Sequence, residues 1–229
     1  MLLENTSKIF KKISYAAMRV GREPEDIKLV AVTKTIGVNT IYEAIEIGLR
    51  IFGENRVQES QKKIQDLKLK TQNSNIEWHL IGYLQKNKVK YAVQLFDLIH
   101  TVDSIELAEE INKHAEKIDK IQRILVQVKL SEEETKHGIS EDKLIQLLYK
   151  IRELKNLSLE GLMTMPPFFD NPESARPYFK RLREIRNECE KIGFHLPELS
   201  MGMSGDFEIA IEEGATMVRI GTAIFGERG

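Results

Sequence analysis

The sequence predicts an α/β protein, a single (β/α)8 TIM-type barrel spanning residues 1–229 with an extra N-terminal helix. Three observations carry this reading. Short β-rich runs alternate strictly with longer segments of 3.6-residue periodicity, the texture of parallel strands joined by right-handed helical crossovers. Runs such as Leu29–Val32 are apolar throughout rather than alternating, as strands buried on both faces are. The 229 residues hold eight such units, which favours closure into a barrel over an open sheet.

Taken in order, Ile9, Ile13, Ala16, Ala17 and Val20 fall at helical spacing, and Gly21 can stop that first helix. Strands are expected at Lys28–Val32, Arg50–Phe52, Ile76–Ile81, Asp97–Val102, Gln122–Lys129, Leu157–Met163, Glu198–Ser200 and Thr216–Ile220. Helical periodicity fills 39–47, 55–69, 85–94, 104–117, 141–153, 173–192 and 206–213. Gly48 and Gly214 suit the left-handed position that follows a helix, and Asn39 and Ser104 suit N-caps. Asn171-Pro172-Glu173 starts the seventh helix, with Pro177 placed to shorten or bend it.

Composition excludes several classes of function. A formal net charge of −1 gives no electrostatic footprint for nucleic acid or an anionic membrane. The clusters Lys62-Lys63 and Lys86-Asn87-Lys88-Val89-Lys90 read as solvated helix faces. Cys189, the single cysteine, permits no internal disulfide and reads as a helix packing residue among acids that disfavour its thiolate. The N-terminus lacks the uninterrupted apolar core of a signal peptide, and no run is long enough to span a membrane. A cytoplasmic location follows as an expectation. The scattered histidines form no metal-ligand constellation.

Chemistry in such a barrel gathers at the carboxyl ends of strands. Those positions hold Lys34, Gly53-Glu54-Asn55, Trp78–Gly82, Leu162-Met163-Thr164, Ser200–Gly205 and Arg219–Thr222. The last two are glycine- and hydroxyl-rich loops after strands seven and eight, the usual phosphate site of the fold, where backbone N–H groups can hold an anion. A lysine ending strand one adds an amine able to form a Schiff base with an aldehyde. Phosphate and aldehyde together describe pyridoxal 5′-phosphate. For several residues a plainer reading stands beside this one: His79 as a satisfied buried histidine, Met163 as core filler, Arg219 as the partner of a barrel carboxylate.

Six segments, in order along nearly the whole chain, resemble the pyridoxal phosphate homeostasis proteins, relatives of the alanine racemase N-terminal barrel. They are Val30–Lys34, Phe52–Glu59, Trp78–Lys88, Gly161–Pro166, Leu199–Asp206 and Val218–Gly226. The resemblance implies Lys34 as the lysine that carries the cofactor and Ser204, Gly205, Gly221 and Thr222 around its phosphate. It implies Arg219 beside the pyridine nitrogen, and Asn55, His79, Met163 and Ser200 along the ring. Two departures stand out: Ile36 replaces a second lysine that relatives often carry, and Tyr83 stands where proline is common. Lys136 matches a lysine in the family's loop after strand five.

Three functions compete: a carrier of pyridoxal phosphate without significant catalysis, a pyridoxal phosphate-dependent amino acid racemase, and a Schiff-base aldolase. An arginine at the pyridine nitrogen disfavours its protonation and weakens the electron sink. The racemase takes its second base from an additional C-terminal domain, and the chain is expected to lack one. The aldolase needs an acid–base set around Lys34 that the tyrosines do not supply. The carrier reading leads, with no catalytic residue, no metal, a monomeric state and apo forms of pyridoxal phosphate enzymes as recipients.

Overall fold

In the computed structural model, residues 1–70, 75–131, 133 and 137–226 are described, with side chains excepted at 68–70. Lys136 lies outside them. Eight parallel strands close into a barrel in sequence order: β1 (Lys28–Val32), β2 (Ile51–Glu54), β3 (Glu77–Leu80), β4 (Leu98–Val102), β5 (Gln122–Gln127), β6 (Leu157–Met163), β7 (Glu198–Met203) and β8 (Met217–Ile220). Closure is by β8 against β1, with Val30 opposite Arg219 and Ala31 opposite Ile220.

Around it run α1 (Leu2–Arg19), α2 (Val38–Glu46), α3 (Val57–Lys70), α4 (Val89–Leu95), α5 (Ile105–Glu116), α6 (Glu141–Arg152), α7 (Arg176–Lys191), α8 (Phe207–Glu212) and a four-residue α9 (Thr222–Phe225). The extra helix α1 buries Ile9, Ile13, Ala16 and Ala17, while Val20 beyond its end is exposed. Lys12 and Arg19 pair with Glu208 and Glu212 of α8, and Asn5 donates to the Ile224 carbonyl in α9. The helix therefore covers the outside of the barrel where β8 gives way to α9.

Local causes set the boundaries. Ser104 caps α5 by accepting from the Leu107 N–H. Asn39 does not cap: α2 starts one residue earlier from Gly37, so Asn39 lies in the first turn. The seventh helix is shorter than its periodicity suggests. Asn171 caps a 3₁₀ turn at Pro172–Ala175, and α7 begins only at Arg176, with Pro177 in the first turn where its missing N–H costs nothing. Strand β7 runs three residues past Ser200 because it carries a bulge there, with an extra residue relative to β8. Gly202 occupies the bulge at φ 91°, and a Cβ there would lie 2.6 Å from Ala210, so glycine both hides and permits the extension.

The core has two parts. The larger lies between strands and helices, and a smaller cluster of Val30, Leu98, Leu125, Met163 and Met217 fills the barrel interior. Strand alternation then places Arg219 on the inner face with Met217, opposite Val30. Among the described residues no helix is long and apolar enough to cross a membrane.

Candidate functional site

The ladder of β1 ends at Val32, and the next residues form a turn closed by the Ile36 N–H on the Thr33 carbonyl, 3.0 Å. Lys34 sits in that turn, half-buried. Its neighbour Thr35 has φ 65°, a left-handed conformation that costs a non-glycine residue on the order of 1 kcal/mol. A buried ionic cluster holds the strained turn. Glu59 of α3 accepts from the Thr35 N–H at 2.7 Å. Lys63, one helical turn on, donates to the Thr33 carbonyl, Glu54 and Glu59 at 2.8, 2.7 and 3.2 Å. The Thr33 hydroxyl donates to the same Glu54 oxygen at 2.7 Å.

Lys63 corrects the reading of Lys62-Lys63 as a solvated face. Its ammonium is buried, because α3 turns that residue inward onto a carboxylate at the end of β2. Burial raises the Glu54 carboxyl, against the opposing pull of Lys63 and Thr33. Its second oxygen, buried, has no hydrogen-bond partner among the described residues.

A second polar system crosses the barrel interior. From β8, Arg219 donates to the Ser200 hydroxyl at 2.6 Å and to the Thr164 carbonyl at 3.0 Å. Ser200 meets His100 Nδ1 at 2.9 Å, His100 Nε2 meets His79 Nδ1 at 3.0 Å, and His79 Nε2 meets Glu77 at 3.2 Å. Arg123 then bridges Glu77 and Glu160 at 2.8 and 2.7 Å. Ser200, His100 and His79 are completely buried. Burial lowers both histidines, His100 the more strongly, and for His100 the cationic surroundings act in the same direction. Glu77 is held down at about 2, chiefly by the His79 hydrogen bond and also by Arg123.

Arg219 is itself buried, and burial lowers it to about 10, leaving it charged at neutral pH. Among the described residues no carboxylate forms an ion pair with it, so it is not the partner of a barrel carboxylate. A buried guanidinium held by one hydroxyl and one carbonyl still has donors to offer, and it suits an acceptor atom or anion supplied by a bound group.

The loops after β7 and β8 meet. Asp206 accepts from the Met203 N–H at 2.6 Å, closing the turn that presents Ser204 and the exposed Gly205. Ser204 in turn accepts from the Gly221 N–H at 3.3 Å, and Thr222 is exposed at the start of α9. Asn55 follows β2, half-buried, against Gly82, where a Cβ would lie 2.2 Å from the Asn55 carbonyl oxygen. The close approach requires glycine and fixes where Asn55 stands. Met163 packs in the interior cluster.

Of the expected residues, Ser200, Arg219 and His79 share one network, and Ser204 and Gly221 share a hydrogen bond. His79 has both ring nitrogens engaged. Sequence reasoning missed His100, Glu77, Glu54 and Lys63 as parts of these networks. The available signal was polarity on an inward face: His100 stands two residues after Leu98, which packs in the interior cluster.

The alanine racemase N-terminal domain family matches residues 6–229. A pyridoxal phosphate homeostasis protein of Aquifex aeolicus is 47% identical over 226 residues, covering 98% of this chain and 97% of its own. That of Escherichia coli K12 is 40% identical over 233 residues, covering 99% and 97%. PipY of Synechococcus elongatus, solved with PLP bound, is 34% identical with a TM-score of 0.86, covering 99% of this chain and all of that one.

Proposed function

The chain belongs to the family of pyridoxal phosphate homeostasis proteins, built on the alanine racemase N-terminal domain, and on that premise we propose that residues 1–229 act as one domain that carries pyridoxal 5′-phosphate without turning over amino acids. The observation that carries the reading is Arg219: a buried cation with spare donors and no carboxylate partner among the described residues, on the strand hydrogen-bonded to the one that leads to Lys34. When bound, the cofactor supplies an aldehyde that condenses with an amine, losing water, to a Schiff base.

In this reading Lys34 provides the amine, held at the mouth by the braced turn. The Ser204 and Thr222 hydroxyls and the N–H groups of Gly205 and Gly221 hold the phosphate, and Arg219 donates to the pyridine nitrogen. Asn55, Met163 and Ser200 stand along the ring; His79, expected there too, has both ring nitrogens engaged and reaches Ser200 only through His100, so it stands behind the ring's lining. An arginine there keeps the nitrogen unprotonated, which disfavours carbanion chemistry and favours storage and delivery. Delivery to apo enzymes in the cytoplasm, by a monomer, completes the proposal.

Borohydride reduction of the protein incubated with pyridoxal phosphate, followed by peptide mass mapping, tests it. One adduct on Lys34 is expected, absent in Lys34→Ala, and pyridoxal without phosphate should label far less. Quantitative labelling elsewhere with Lys34 unmodified overturns the assignment. Rapid Cα deuteration of alanine in deuterated water, lost in Lys34→Ala, overturns the carrier function.

A further inference from the structure

The interior chain from Arg219 to Glu77 has a direction. Glu77 is a carboxylate and can only accept, so His79 Nε2 carries a hydrogen. A single hydrogen fits in the 3.0 Å between His79 Nδ1 and His100 Nε2. If it belonged to His79, that ring would be an imidazolium, completely buried and facing His100. It therefore belongs to His100 Nε2, which leaves His100 Nδ1 as an acceptor. Ser200 must then donate its hydroxyl hydrogen to His100 while its oxygen accepts from Arg219. Every link points the same way, from Arg219 through Ser200, His100 and His79 to Glu77.

We propose that Ser200, His100, His79 and Glu77 form a positioning chain that turns the Ser200 hydrogen away from the barrel mouth and leaves Arg219 as the donor facing a bound pyridine nitrogen. The proposal rests on the pyridoxal phosphate reading above and adds His100 and Glu77 to it, residues that touch no cofactor. Ser200 with its hydrogen free could donate to the ring or rotate. Anchored on His100, it serves only as an acceptor and fixes one edge of the guanidinium, as a ligand's outer partners fix its orientation.

The surroundings keep the chain neutral in its middle. Asp97 and Glu77 face His79, and Arg123 and Arg219 face both ends of the pair. Adding a proton would place an imidazolium between two guanidinium groups without water, so burial and these cations both resist it.

Two measurements test the chain. Long-range proton–nitrogen spectra of the protein with ¹⁵N-labelled histidine report each ring's tautomer without any cofactor. Of the five histidines, two should remain neutral Nε2–H forms that do not titrate from pH 5.5 to 8.5, assigned by their loss in His79→Gln and His100→Gln. An Nδ1–H tautomer at either ring, or an ordinary histidine titration, overturns the chain, and this reading needs no variant beyond those used for assignment. In the second, pyridoxal phosphate affinity is measured for Ser200→Ala, His100→Leu and the pair. Each single change should weaken binding by about tenfold, and the pair should lose little more than either alone, because one interruption already frees Arg219. Unchanged affinity in a folded His100→Leu protein overturns the positioning role. Should the unaltered protein take up no pyridoxal phosphate, the site reading fails, and the proposed target of the chain fails with it, whatever the tautomers show.

Discussion

Two buried polar systems stand under the same barrel mouth, and they are built on opposite principles. Beneath Lys34 the cluster of Glu54, Lys63, Glu59 and Thr33 is ionic and compact, with one ammonium shared by two carboxylates and a carbonyl. Across the barrel, the line from Arg219 to Glu77 is neutral through its middle and joins β8, β7, β4 and β3. The first grips backbone: its targets are the Thr33 carbonyl and the Thr35 N–H. The second places hydrogens on side chains. Charge pulled together without water tolerates little displacement, which suits the task of holding a strained turn. A neutral line is cheaper to bury and carries orientation over a longer distance.

The contrast predicts different costs of damage. Lys63→Met leaves Glu54 buried with its partner gone, and removing one member of a buried pair costs about 3–5 kcal/mol. Denaturant unfolding at pH 7 measures it. Because burial already raises the Glu54 carboxyl, acid that protonates it should relieve the damage, so the loss shrinks as pH falls from 7 to 5. Adding Glu54→Gln to Lys63→Met should recover most of the lost stability. A loss under about 1 kcal/mol from Lys63→Met alone would erase the distinction between the two systems.

Glu77→Gln strikes the neutral line at its far end and should cost less, about 1 kcal/mol at pH 7, since solvent reaches Glu77 and screens its pairs. Its loss also shrinks as pH falls, but in a lower pH window than that of Lys63→Met. The Glu77 carboxyl drops from its ordinary 4.5 to about 2 in the fold. The stability it adds is complete above 4.5 and is lost as pH falls from there toward 2. The lowered histidines act in the same sense at higher pH: the unfolded rings take up protons below about 6.5 while the folded ones resist. Unfolding curves between pH 7 and 3 should therefore fall more gently for Glu77→Gln than for the unaltered protein. Equal slopes would show that His79 and Arg123 do not hold this carboxylate down.

The barrel was legible in the sequence because its signal is repeated eight times, and strand β1 is found with the same bounds that its apolar run suggests. The strand-end positions proposed for the site were legible for the same reason: once the strands are placed, the turn with Lys34, Arg219 and the two glycine-rich loops follow. The supporting shell was not. Lys63 lies in a polar helix, and nothing local distinguishes it from Lys62; only the α3 orientation over β2 turns one of them inward. His100 and His79 are 21 residues apart, and their meeting depends on β3 and β4 being neighbours with inner faces aligned. Gly202 concealed the end of β7, since a glycine inside a strand pattern reads equally as its termination.

The smallest effect separates the two forces acting on the turn that carries Lys34. Thr35 at φ 65° pays for its conformation, and glycine there would remove a strain on the order of 1 kcal/mol. Glycine also frees the unfolded chain, which costs about 0.5–1 kcal/mol. The two nearly cancel, so Thr35→Gly should change stability by less than about 0.5 kcal/mol. The Glu59 bond is to the backbone N–H, which glycine retains, so the ionic cluster keeps its hold and borohydride labelling of Lys34 should be undiminished. Glu59→Ala makes the converse change, leaving the strain and removing the grip. It should cost about 1 kcal/mol and slow labelling of Lys34, since the turn can then relax out of the left-handed region. If Thr35→Gly slows labelling as much as Glu59→Ala does, the threonine conformation itself places the lysine, and the ionic cluster serves stability alone.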